Sequence, residues 1–190
     1  VDFSYEVSRA LAACEGAIII VDATQGIQAQ TFSTINKAKE LGLKLVPVIN
    51  KIDAPAAYPE RVSQSMQDAF GFEEKDIFYV SAKTGEGVES LIQGVIDQIP
   101  PPVKPEENSL KGLVFDAYYD QFKGIILYLR VIAGQLSSKD KCLLFAHKES
   151  FEPLEIGYFG PDMQKSKLLN TGQVGYVATG LKSIRDVTVG

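Results

Sequence analysis

Apolar positions along this chain follow two different rhythms, and the change between them falls near residue 100. Phe3, Val7, Leu11 and Cys14 recur at helical spacing, which predicts an amphipathic helix over residues 2–14. A short apolar run at Ala17 to Val21 predicts a strand. A helix follows from Gln28 to Leu41, ended by Gly42 in the left-handed conformation that glycine adopts cheaply. Leu43 to Ile49 reads as the next strand. Pro59 then opens a helix that carries Val62, Met66 and Phe70 on one face and stops at Gly71. Strand Ile77 to Val80 and helix Val88 to Ile99 complete an αβαβαβα order, which implies parallel strands joined by right-handed crossovers in an α/β layer fold.

Pro100, Pro101 and Pro102 end the last helix, because proline cannot donate to it and holds the preceding residue extended. With Lys104 to Asn108 they predict a stiff polar linker. From Leu110 onward the apolar runs become short and rich in Val, Ile, Leu, Tyr and Phe: 111–117, 124–133, 141–147, 152–158 and 173–180. Several short strands at this spacing indicate a small β-barrel. The expected division is therefore 1–102 and 103–190.

Composition narrows the function classes. The 190 residues carry 19 basic and 24 acidic side chains, a net charge of −5, with no dense Lys/Arg cluster among aromatics, so autonomous nucleic-acid binding is not expected. No apolar run reaches the ~20 residues of a membrane-spanning helix, and Val1 is followed by Asp2 and Glu6 rather than a basic leader. Cys14 and Cys142 are expected to be buried free thiols, and His147 to sit at a polar hairpin tip. Glu73, Glu74, Glu106 and Glu107 read as solvated. No residue of the chain is expected to ligate a metal or act as a catalytic group.

The informative chemistry is Asn50-Lys51-Ile52-Asp53 followed about thirty residues later by Ser81-Ala82-Lys83. Guanine presents two N–H donors beside an O6 acceptor, so a pocket for it needs one carboxylate placed to accept both donors, and Asp53 is that carboxylate. Adenine would leave a buried Asp53 unpaired, and sites built this way reject the analogue by ~10⁴ to 10⁵. Asn50 is expected to brace the loop and reach the N7 edge, the Lys51 stem and Lys83 to cover the two ring faces, and the Ala82 N–H to meet O6. Both motifs close predicted parallel strands, where open α/β sheets bind ligands. No G-x-x-x-x-G-K-[S/T] loop is present, and Asp22-Ala-Thr-Gln-Gly26 has one residue too many for an acidic D-x-x-G turn. The expectation is a chain that recognises a base without performing phosphoryl transfer alone, and whose first residue falls within a domain.

These motifs, the prolines and the barrel together resemble a translational GTPase: the C-terminal half of a P-loop G domain followed by the second-domain β-barrel. Within that class the chain resembles the LepA, or elongation factor 4, family. The resemblance rests on Val1-Asp-Phe-Ser-Tyr-Glu-Val-Ser-Arg9, Leu11-Ala-Ala-Cys-Glu-Gly16, Val21-Asp-Ala23, Gln28-Ala-Gln30, Ile99-Pro-Pro-Pro102, Asp116 to Gly124 and Gly157 to Pro161. One departure is Lys139 in Leu136-Ser-Ser-Lys-Asp140, where the class usually has glycine. The resemblance implies a ribosome-associated GTP hydrolase that binds GTP/GDP with Mg²⁺ and acts on elongating ribosomes by back-translocation. Its implied partners are ribosomal RNA and tRNA. Its implied location is cytoplasmic, or organellar in a eukaryote, with peripheral association at the inner or cell membrane in some members. The D-T-P-G-H histidine would precede Val1, Asp2 and Phe3 would begin the switch II helix, and the magnesium ligands would lie outside this chain. The alternatives are another translational GTPase such as elongation factor G, or a non-enzymatic nucleotide- or partner-binding module. Strand Ala17 to Val21 is further expected to form an apolar sheet edge, through which the chain self-associates or frays while the barrel stays folded.

Overall fold

The computed structural model describes residues 4–103, 105–106 and 109–182. Residue contacts divide the chain into two compact units, Val1–Pro101 and Pro102–Gly190, with the break inside the proline run. The expected starts of the first helix and of switch II at Asp2 and Phe3, the linker positions Lys104, Glu107 and Asn108, and the chain's end lie outside the described residues.

In the first unit α1 (Ser4–Ala12) leads to β1 (Gly16–Asp22), then α2 (Ala29–Glu40), β2 (Lys44–Asn50), α3 (Pro59–Phe70), β3 (Phe78–Val80) and α4 (Val88–Gln98). The strands form a parallel sheet in the order β1-β2-β3, as the alternation predicts. Val21, Ala23, Ile49, Val62, Met66 and Ile77 make one buried cluster between the sheet and α3. The side-chain alternation of β2 sends the fully buried Val46 and Val48 to the opposite face. Buried aliphatic side chains on both faces of β2 are what a central parallel strand requires. α3 ends as predicted, with Gly71 at φ 75°.

Cys14 corrects one expectation. The helix stops at Ala12, so Cys14 leaves the apolar stripe, stands exposed, and its Sγ–H donates to the Ala10 carbonyl at 3.3 Å; Ala13 is buried in its place. Cys142 is half-buried rather than fully so.

The second unit is antiparallel. β4 (Lys111–Asp120) and β5 (Gly124–Ala133) form a long hairpin. β6 (Gln135–Ser137), β7 (Cys142–Leu144), β8 (Glu149–Phe151), β9 (Glu155–Phe159), β10 (Met163–Ser166), β11 (Leu168–Asn170) and β12 (Val174–Ala178) follow. A five-stranded sheet in the order β10-β9-β12-β5-β4 curls over a core of Ile125, Leu127, Leu129, Val131, Leu136, Ile156, Leu169 and Val177, with the pairs β11-β6 and β7-β8 beside it. The predicted run 141–147 is the short strand β7 and most of a four-residue turn that carries the exposed His147 and leads into the return strand β8. Lys139 fits its turn without glycine. Its φ is not positive, and Asp140 Oδ2 closes the turn by accepting from the Ser137 N–H at 2.6 Å.

Candidate guanine-recognition site

The three parallel strands end in register: Asp22 of β1 lies opposite Asn50 of β2, and Asn50 opposite Val80 of β3. Every residue of the predicted motifs lies at or just beyond this line, so the sheet itself brings two segments about thirty residues apart to one place. Beyond β2 the chain turns sharply at Lys51, which has φ 66°. A non-glycine residue held there costs roughly 1–3 kcal/mol, and such outliers persist where the surroundings over-determine them.

The turn delivers Asp53 to Ser81. The Ser81 hydroxyl donates to Asp53 Oδ1 at 2.6 Å and accepts from the Thr84 N–H at 3.1 Å. Ser81 itself is fully buried, and its backbone is held by bonds to Glu86 and Gly85. Asn50 spans the two loops, with Oδ1 accepting from the Ala82 N–H at 3.0 Å. Ala82 therefore commits to Asn50 the donor expected to meet O6, and a ligand oxygen would share it. Lys83 stands exposed on the same loop. Asp53 is also exposed in the chain alone, so the discrimination expected of a buried carboxylate requires a base to cover it.

Gly87 allows the second loop to close. It has φ 72°, and a Cβ there would lie 2.1 Å from the Tyr79 carbonyl oxygen, so only glycine can lead from the Ser81 loop into α4 this close to β3.

Two residues of the site escaped the sequence reading. Asp22 Oδ1 accepts from both the Thr24 N–H and the Thr24 hydroxyl, each at 2.7 Å, while Oδ2 pairs with Lys51 Nζ at 2.6 Å. The bond from Lys51, then those from Thr24, hold the Asp22 carboxyl down to about 2. An Asp at the end of the strand paired with β2 was the available signal.

The acceptors free to meet a ligand are Oδ2 of Asp53 and the remaining lone pairs of its Oδ1, side by side, which suits two adjacent N–H donors. The arrangement does not fit magnesium. Asp22 is committed to Thr24 and Lys51, which leaves Asp53 without a second carboxylate beside it, and among the described residues no three His, Cys, Asp or Glu side chains gather where they could hold a metal ion.

The profile of the Elongation factor Tu GTP binding domain matches residues 1–101. The chain belongs to that family. Along all 190 residues it is 47% identical to "Translation factor GUF1 homolog, organellar chromatophore" of Paulinella chromatophora and 47% identical to Elongation factor 4 of Prochlorococcus marinus (strain MIT 9313). It is 46% identical to Elongation factor 4 of Syntrophomonas wolfei. These matches bear out the elongation factor 4 resemblance and do not favour the alternatives. The chain spans about a third (32%) of the length of each of these relatives. The crystal structure of a bacterial selenocysteine-specific elongation factor superposes with a TM-score of 0.78 over 98% of this chain and 32% of its own, at 21% identity. That likeness bears out the fold: part of an elongation-factor G domain and a barrel-like β domain.

Proposed function

We propose that this chain is the guanine-reading part of a ribosome-associated GTP hydrolase of elongation factor 4 type, followed by that protein's second-domain barrel. The observation that carries the reading is Asp53, aimed by Ser81 across the joined ends of three parallel strands. Its carboxylate accepts N1–H and N2–H of guanine, while the Nδ2 donors of Asn50 reach N7 and the stems of Lys51 and Lys83 close over the ring faces. Once covered, Asp53 rejects adenine because its acceptors would go unpaired. The chain's own residues bind and orient the base. Phosphate positioning, magnesium and the attacking water belong to segments of a longer protein, whose hydrolysis on elongating ribosomes and contacts with ribosomal RNA and tRNA are part of this proposal.

The reading carries a cytoplasmic or organellar location. No described helix is long and apolar enough to cross a membrane, and the peripheral membrane association implied for some members is not part of this proposal. The test is the longer gene. A reading frame upstream of codon 1 that encodes G-x-x-x-x-G-K-[S/T] and D-T-P-G-H, and whose product hydrolyses GTP faster when ribosomes are added, is the expected result. A product that binds guanine nucleotide without hydrolysing it would favour the non-enzymatic module instead.

A further inference from the structure

The five-residue turn Asp22 to Gly26 does not match a phosphate-sensing motif, yet it is closely built. The Gly26 N–H donates to the Asp22 carbonyl at 2.8 Å, and Thr24 gives two hydrogen bonds to one oxygen of the Asp22 carboxylate. The other oxygen is thereby aimed across the strand end at Lys51 Nζ, 2.6 Å away. Lys51 is also the residue held at positive φ, so both its backbone and its ammonium are fixed, and the four-carbon stem between them has little freedom left. The stem is the part that a planar base would lie against.

We propose that Asp22, oriented by Thr24, is a positioning residue of the base site that clamps Lys51 so that its stem forms a preorganised platform for one face of the guanine ring. This rests on the guanine reading above and deepens it. A free lysine would lose most of its rotamer freedom when a base stacks on it. A lysine already tethered has lost that freedom beforehand, and the difference appears as affinity. The tether also couples β1 to the site, because Asp22 is the last residue of that strand. The ion pair involves a side chain 19% exposed and one 56% exposed, so its contribution is moderate and weakened by salt. The depressed Asp22 carboxyl keeps the clamp charged through the neutral range.

The experiment is a double-mutant cycle in the complete protein. Guanosine monophosphate binding is followed through amide shifts at Asn50 to Asp53 and Ser81 to Lys83. Asp22→Ala and Lys51→Met, which keeps the stem, should each weaken binding about fivefold, and the double variant about fivefold rather than the twenty-five-fold of independent effects. Thr24→Val should weaken it about twofold with the spectrum otherwise intact. It also serves as the milder variant if Asp22→Ala perturbs the fold. Preference for guanosine over xanthosine monophosphate should stay unchanged in all of these, while Asp53→Asn, run beside them, should reverse it. If Asp53→Asn reverses preference but Asp22→Ala has no effect, or costs as much in the Lys51→Met background as in the wild type, the clamp is overturned and the guanine reading stands. If the wild-type amides do not respond to guanosine monophosphate, or Asp53→Asn leaves preference unchanged, the guanine reading falls and the clamp with it.

Discussion

Glu155 lies where three elements of the barrel meet, and replacing it with glutamine should loosen the whole five-stranded sheet. Its Oε1 accepts from Lys123 Nζ at 2.8 Å and from the hydroxyl of the fully buried Tyr176 at 2.7 Å, and its Oε2 pairs with Lys165 Nζ at 2.7 Å. Burial alone would raise this carboxyl. The bonds from Lys123, Lys165 and Tyr176 overturn that effect and bring it from the ordinary 4.5 down to about 2. Such a drop corresponds to about 3 kcal/mol. Lys165 is 76% exposed and Lys123 37%, so water competes for both, and roughly 1.5 kcal/mol is the expected loss in Glu155→Gln. Hydrogen exchange of Ile125 to Val131, in the interior strand β5 of that sheet, should then be about tenfold faster at pH 7. A depressed folded-state pKa means that the stabilisation is complete above the ordinary 4.5 and lost as pH falls toward 2. At pH 2.5 about a quarter of it remains, and the two proteins should differ less than twofold. Tyr176 has the opposite sign. Burial and then Glu155 raise it to about 12, so its contribution is complete below 10 and lost between 10 and 12. Equal exchange at pH 7, or a tenfold difference that persists at pH 2.5, would refute this account of the barrel.

Gly87→Ala should cost at least about 2–3 kcal/mol in the first unit, measured by urea denaturation, because the new methyl meets the Tyr79 carbonyl at a positive φ. The 190-residue chain alone should release no phosphate from GTP above buffer, with or without ribosomes, since it lacks the groups that position phosphates; a malachite-green assay with ribosome-stimulated release would contradict this. Among the described strands β1 pairs only with β2, and Ile18 and Ile20 are 43% and 61% exposed, so amides of Ala17 to Val21 should exchange quickly in dilute monomer while those of Ile125 to Val131 exchange slowly. Protection of Ala17 to Val21 that rises with protein concentration would show self-association through this edge.

Periodicity made the first unit legible because each of its helices carries a repeating apolar face and β1 and β2 are seven residues of nearly unbroken aliphatic sequence. The barrel was less so. β6, β10 and β11 are three or four residues long and include Gln135, Gln164, Lys165 and Asn170, too short and too polar for alternation to show. The turn at 145–148 depends on Lys148 at φ 57°, a conformation that no local signal announces for lysine. At the candidate site the two motifs were readable because each is a short contiguous string. Asp22 was not, since its partner is 29 residues away and only the strand register brings them together.

The central claim is that Asp53 reads guanine, and the most direct measurement is the base preference of Asp53→Asn in the complete protein. An amide can donate where the carboxylate only accepts, so it pairs with the 2-keto oxygen of xanthine and offers one acceptor fewer to guanine. Competition between GTP and XTP for a fluorescent GDP reporter gives the ratio. Wild type should prefer GTP by several orders of magnitude, and the variant should bind XTP more tightly than GTP. An unchanged GTP/XTP ratio would remove Asp53 from the pocket.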